Sequence, residues 1–171
     1  MTSAMRPVEP LDFVQNPDEL RWLSPLEQQA WQSFLRSHRA VFAALESQLQ
    51  SDAKMPLAYY SILVRLSEAP DRTLRMGELA GKLYASPSSI SHASTKLESL
   101  GWMRRENDPN DRRAQLAVLT DEGADALAEA APGHIQAVRA NLLGRLNEDQ
   151  LRQLIAIGEA VLGEDLSEDP A

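Results

Sequence analysis

At 171 residues, with 43% hydrophobic content and no cysteine, the chain has room for one compact domain, or one domain plus an oligomerisation element. It cannot form disulfides, thiolate metal sites or a cysteine redox switch. No apolar run approaches the ~20 residues of a membrane helix, and the first ten residues carry Glu9 and two prolines where a basic and then apolar leader would stand, so a cytoplasmic location is expected. A net charge of −8 counts against a nucleic-acid partner until it is divided along the chain. Residues 71–113 hold eight Lys/Arg against six Asp/Glu, and the remainder nine against nineteen, which leaves a mildly basic segment within an acidic body.

Residues 1–23 mix Pro7, Pro10 and Pro17 with Leu11, Phe13, Val14, Leu20 and Trp22 without a sustained period. They read as an irregular arm, either a disordered tail or a strap across a partner. Ser24-Pro25-Leu26-Glu27 is a capping box with proline at the first helical position, so a helix starts there and runs toward Gln50. Its stripe of Leu26, Ala30, Phe34, Leu35, Val41, Phe42, Leu45 and Leu49 is wide enough to face more than one neighbour. Lys54-Met55-Pro56 breaks it, a second helix spans residues 57–68, and an Ala69-Pro70-Asp71 turn follows.

Met76, Leu79, Ala80 and Leu83 then mark a two-turn amphipathic helix, and Tyr84-Ala85 a short turn. Ser86-Pro87 opens the next helix, since the serine hydroxyl can accept from a first-turn amide and proline fits the first helical position. Ile90, Ala93, Leu97 and Leu100 give it one narrow apolar stripe, and Gly101 is the expected left-handed stop. The opposite face carries Ser88, Ser89, Ser91, His92, Thr95, Lys96 and Ser99, short donors that can approach phosphates and base edges closely. A merely solvated helix face has the same composition; what distinguishes this one is the positioning helix before it.

After Gly101 the period becomes strand-like in residues 102–105 and again in 115–119, and the intervening residues 106–113 are rich in turn formers and end in Arg112-Arg113. This predicts a hairpin whose arginine tip suits a narrow minor groove, with Asp111 placed to orient the Arg113 guanidinium by a charge-assisted hydrogen bond. Thr120 is a candidate cap for a long alanine-rich helix with Asp121 and Glu122 in its first turn and a kink or short break expected at Pro132-Gly133. Leu127, Ile135, Val138, Leu142, Leu143 and Leu146 continue its stripe. A last helix begins at Asn147 with Gln150 as a second capping box and is expected to bury Leu151, Leu154, Ile155, Ile157, Val161 and Leu162; residues 164–171 form a frayed acidic tail. The first helix and the last two carry more apolar surface than one small domain can cover, so a twofold homodimer is expected.

No catalytic set, cofactor loop or metal site is expected. His38, His92 and His134 fall on three separate helices at unrelated spacing, the serines of residues 86–94 lack a glycine-flanked nucleophile elbow, and there is no phosphate-binding glycine loop.

Several residues in this order and spacing resemble the multiple antibiotic resistance regulators, the MarR family. They are Glu78-Leu79-Ala80, Ser89-Ile90-Ser91, Leu97 with Gly101, Arg105, Asp111-Arg112-Arg113, and Leu119-Thr120 with Gly123. The resemblance spans roughly residues 25–163. It departs from the family pattern at His92, where arginine is common, and at Ala93-Ser94, which replace a bulkier apolar pair. It implies a mostly α fold, a winged helix-turn-helix with a small β-hairpin wing and N- and C-terminal helices forming a dimerisation domain. The corresponding divisions are an arm (1–23), a first dimerisation helix (24–54), the winged module (55–120), C-terminal dimerisation helices (121–163) and a flexible tail (164–171). The expected activity is that of a DNA-binding transcriptional regulator on a palindromic operator, a repressor released by a small aromatic or phenolic ligand. Base and phosphate contacts fall to Ser88, Ser89, Ser91, His92 and Lys96, and minor-groove insertion to Arg113 with Arg112 on the backbone; Trp31, Tyr59 and Tyr60 read either as core and dimer-interface residues or, with His38, as the lining of an effector pocket. The acidic net charge keeps open a winged module that contacts protein instead of DNA; a small enzyme is the third reading, and the missing catalytic set weighs against it.

Overall fold

The structure is a computed structural model that describes residues 22–111 and 113–163. Its helices are α1 (Pro25–Ala53), α2 (Leu57–Glu68), α3 (Met76–Lys82), α4 (Pro87–Ser99), α5 (Asp121–Asn141) and α6 (Glu148–Leu162), and its strands β1 (Thr73–Arg75), β2 (Met103–Asn107) and β3 (Gln115–Leu119). The expected N-terminal arm and acidic tail lie outside the described residues, save the last two residues of the arm.

Most ends fall where local chemistry puts them. Ser24 and Glu27 close the predicted capping box, with the Glu27 amide donating to Ser24 Oγ at 3.3 Å and the Ser24 amide to Glu27 Oε2 at 2.7 Å. Asn147 and Gln150 repeat the device at α6, at 2.9 and 3.0 Å. At the start of α2 the cap comes from another element: the Leu57 amide donates to Glu46 Oε2 of α1 at 2.8 Å.

The chain divides into two compact units after His38. In the first, Trp31 stacks near Phe34 and Phe34 near His38, each pair with centroids 6.1 Å apart, while Leu26, Trp31 and Phe34 stay largely exposed. In the second, Leu49, Met55, Ile62, Leu63, Leu66, Leu79, Leu97 and Met103 are fully buried, so a single core joins the end of α1, α2, the α3–α4 pair and the sheet.

That sheet has three antiparallel strands in the order β1-β3-β2, with Leu74 opposite Ala117 and Arg105 also opposite Ala117 from the other side. The hairpin alone was expected. The added strand β1 is three residues long, too short to show a period, and exists because β3 offers it an edge. With neighbours on both sides, β3 buries Ala117, Val118 and Leu119 in succession, where a half-covered strand would alternate.

Three other expectations are corrected. Leu100 is 50% exposed, because it lies at the helix end, beyond the last inward turn at Leu97. Helix α5 continues through Pro132-Gly133. A Cβ at Gly133 would lie 2.8 Å from Gln48 Nε2 of α1, the movable end of a side chain. The helix ends instead at Asn141, with Leu142 as its cap, and residues Leu143–Arg145 form a 3-10 turn. Finally, α6 buries nothing within the described chain; Leu154, Ile155, Ile157, Val161 and Leu162 are all exposed.

Candidate nucleic-acid interface

The reading face is set by the start of α4. Ser86 Oγ accepts the Ser89 amide at 3.2 Å and lies 3.0 and 2.7 Å from the hydroxyls of Ser88 and Ser89, so the cap fixes the first turn and gathers three hydroxyls at its tip. Ile90, Ala93, Ser94 and Leu97 point into the core. Ser88, Ser89, Ser91, His92, Thr95, Lys96 and Ser99 are all exposed on the other side. The small Ala93-Ser94 pair packs tightly: Ser94 is fully buried and directs its hydroxyl at Met76 Sδ, 3.9 Å away on α3.

At the far end, Gly101 takes φ 76°, the left-handed stop. Just beyond it a tight joint forms. Thr120 Oγ1 donates to the Gly101 carbonyl at 2.6 Å, the Thr120 amide donates to the Trp102 carbonyl at 3.2 Å, and the Gly123 amide donates back to Thr120 Oγ1 at 3.0 Å. A Cβ on Gly123 would sit 2.0 Å from the Trp102 oxygen, closer than any side chain permits. The Leu119-Thr120 and Gly123 pattern therefore marks a place where the start of α5 presses on the chain leaving α4.

The acid on α4 itself, Glu98, is neutralised in place. Glu98 accepts the Arg105 amide at 3.0 Å and Arg105 Nε at 2.6 Å, and Arg105 Nη2 also pairs with Glu98 and donates to Thr95 Oγ1 at 3.1 Å. The hydrogen bond from the Arg105 side chain holds the Glu98 carboxyl below the usual carboxylate range. Arg105 thus ties β2 to α4 while removing a charge that would repel phosphate.

The wing carries Arg113 exposed at its tip, and among the described residues its guanidinium has no ion pair. Asp111 acts on the backbone: its Oδ1 accepts the Arg113 amide at 3.0 Å, which shapes the turn, in place of the expected bond to the guanidinium. Arg112 lies outside the described residues. What anchors the wing is a pair that sequence reasoning missed. Asp108, 4% exposed, accepts Arg75 Nε at 2.9 Å, Arg75 Nη2 at 2.7 Å and the Asn110 amide at 2.8 Å. The Asn110 amide first, and then Arg75, hold its carboxyl below the ordinary range. Asp-Pro-Asn in the sequence signals the local turn, but nothing local signals an arginine 33 positions away.

Between wing and reading helix runs a groove of about 420 Å³, lined by Arg75, Glu78, Pro87, Ser91, Arg113 and Gln115 among others. Of the aromatic residues expected for an effector, Trp31 lies in the first unit, where it stacks near Phe34, and His38 lies with it. Tyr59 and Tyr60 lie in the second, where Tyr60 stacks against His134 at 4.2 Å. Burial lowers the His134 pKa and raises that of Tyr60, and His134 Nδ1 is buried without a hydrogen-bond partner. Among the described residues no cluster of His, Asp or Glu could hold a metal ion, and no helix is long and apolar enough to cross a membrane. A positioning helix, a capped reading helix and an anchored β-ribbon together define a winged helix-turn-helix protein.

Comparison with known proteins narrows that class. The family profile "MarR family" matches residues 56–114. The solved structure of Sco3205, a MarR family transcriptional regulator from Streptomyces coelicolor in complex with DNA, is 46% identical with a TM-score of 0.80 and covers 85% of this chain and 91% of its own. AbsC, a MarR family regulator from the same organism, is 36% identical with a TM-score of 0.76, covering 85% of this chain and 100% of its own. The transcriptional repressor MprA of Escherichia coli (strain K12) is 27% identical over 97 residues, 56% of this chain and 55% of that protein. The chain spans about half the length of the curated relatives it matches, 53% and 55% for two of them. The chain belongs to the MarR family of transcriptional regulators.

Proposed function

We propose that the protein is a homodimeric, sequence-specific DNA-binding repressor, with α4 in the major groove and Arg113 in the adjacent minor groove. The observation that carries this reading is the exposed face of Ser88, Ser89, Ser91, His92 and Lys96 standing across an open groove from an arginine-tipped wing. Arg112 is assigned to the DNA backbone, and Asp111 to the turn that presents Arg113. Dimerisation through α6 and the exposed apolar residues of α1 supplies the cover these helices lack and repeats the reading face about one duplex turn away, so the operator is an inverted repeat. Two of the relatives are named as repressors, and one homologous structure holds DNA. Release by a small aromatic or phenolic ligand is the regulatory half of the proposal: a ligand that binds the DNA-incompetent dimer more tightly shifts the population toward it. The site of action is the cytoplasm.

Selection of bound duplexes from a random pool at two salt concentrations tests the reading. Enrichment of a palindrome is expected, with a salt slope that falls by about two per dimer in Arg113→Ala, one for each subunit. His92→Ala is expected to change which bases are preferred more than it changes overall binding. An unenriched pool would favour a protein partner instead, as the net charge of −8 would suit.

A further inference from the structure

The groove between wing and reading helix has a third wall, formed by Arg75, a residue without an assigned role. Its backbone is fixed twice, as the end of β1 opposite Leu116 and as the cap of α3. Its side chain is fixed as well: Nε and Nη2 are engaged by the buried Asp108 carboxylate, while Nη1 has no partner among the described residues. The side chain remains 54% exposed and lines the groove that Ser91 enters from α4 and Arg113 from the wing.

A helix in a major groove and a wing tip in the neighbouring minor groove straddle one sugar–phosphate ridge, and this groove lies between them. Glu78 also lines it, so a ridge passing through needs a cation on the same wall. Arginine oriented in advance loses less side-chain freedom on binding than a free one does. We propose that Arg75 is a further DNA contact that grips a phosphate of this ridge, and that Asp108 is its positioning residue. The inference rests on the DNA-binding reading above.

The test uses the full chain, the duplex enriched by the wild type, and a set of the same duplexes in which single phosphates along the ridge are replaced by neutral methylphosphonate. Binding is measured by fluorescence anisotropy across a salt series for wild type, Arg75→Gln, Arg75→Lys and Asp108→Asn. Arg75→Gln is expected to lower the salt slope by about two per dimer, and Arg75→Lys to keep it. One methylphosphonate position should weaken wild type and leave Arg75→Gln unaffected. Because that comparison is a ratio within one variant, a reduced folded fraction cancels from it. Asp108→Asn should bind more weakly, although removing a negative charge near phosphates would by Coulomb's law alone strengthen binding. A wild-type slope and phosphate map in Arg75→Gln, or tighter binding by Asp108→Asn, overturns the inference alone. Failure of the wild type to enrich any duplex overturns the DNA reading and this inference with it.

Discussion

The helix-turn-helix with its wing and the last helix, α6, are both amphipathic, yet their apolar faces meet opposite fates. In the winged module Leu79, Ile90, Leu97, Met103 and Leu119 disappear into one core, and the exposed side of α4 is left to small polar groups. In α6 the caps are as well formed as any in the protein, but Leu154, Ile155, Ile157, Val161 and Leu162 face outward. A module that covers its own apolar face is free to offer the polar one to a ligand. A helix that does not is asking for another protein surface, and in the homodimer proposed above a second copy would supply one without any further gene product.

The strongest way to break this comparison is to charge α6. Replacing Leu154 and Ile155 together by glutamate removes about 1.5–3 kcal/mol of burial per side chain from the proposed interface. Light scattering should then report one chain in place of two, and operator binding should vanish while the far-ultraviolet circular dichroism of the winged module persists. A variant that remained dimeric would separate α6 from assembly.

The next largest effect belongs to the module's own packing. Gly123→Ala drives a methyl group against the Trp102 carbonyl, and a loss of about 3 kcal/mol is expected from the urea midpoint at unchanged slope. Arg105→Met should cost less, about 1–2 kcal/mol, because Glu98 is partly solvated once its partner is gone. The smallest effect is one of pH. Burial lowers the His134 pKa from 6.5, so the unfolded chain takes up the proton first as the pH falls. The stability this neutral histidine confers is complete above pH 6.5 and is lost as the pH drops through the lowered folded value. His134→Phe should flatten the melting temperature over that window.

These contrasts also separate what could be read in the chain from what could not. Ser24, Ser86, Thr120 and Asn147 cap their helices as expected, because a cap is a local contract between a side chain and an amide a few residues on. The outward polar face of α4 followed from helical spacing alone. Strand β1 was invisible because its reason for existing is β3, more than 40 residues later. The Arg75 and Asp108 pair was hidden for the same reason, and the exposure of α6 because the surface that would cover it is not in the same described chain. At Pro132 the expected short break is missing: proline removes one backbone donor, and the remaining turns of α5 hold the helix together around it.

The contact of Gly123 with the Trp102 carbonyl also has a mechanical meaning. With no side chain between them and Thr120 bonded to both Gly101 and Trp102, there is no slack between the root of α5 and the trailing end of α4. A tilt of α5 at its root would therefore press on the trailing end of the reading helix, so in the proposed dimer this joint is the fulcrum on which the spacing of the two reading heads would turn.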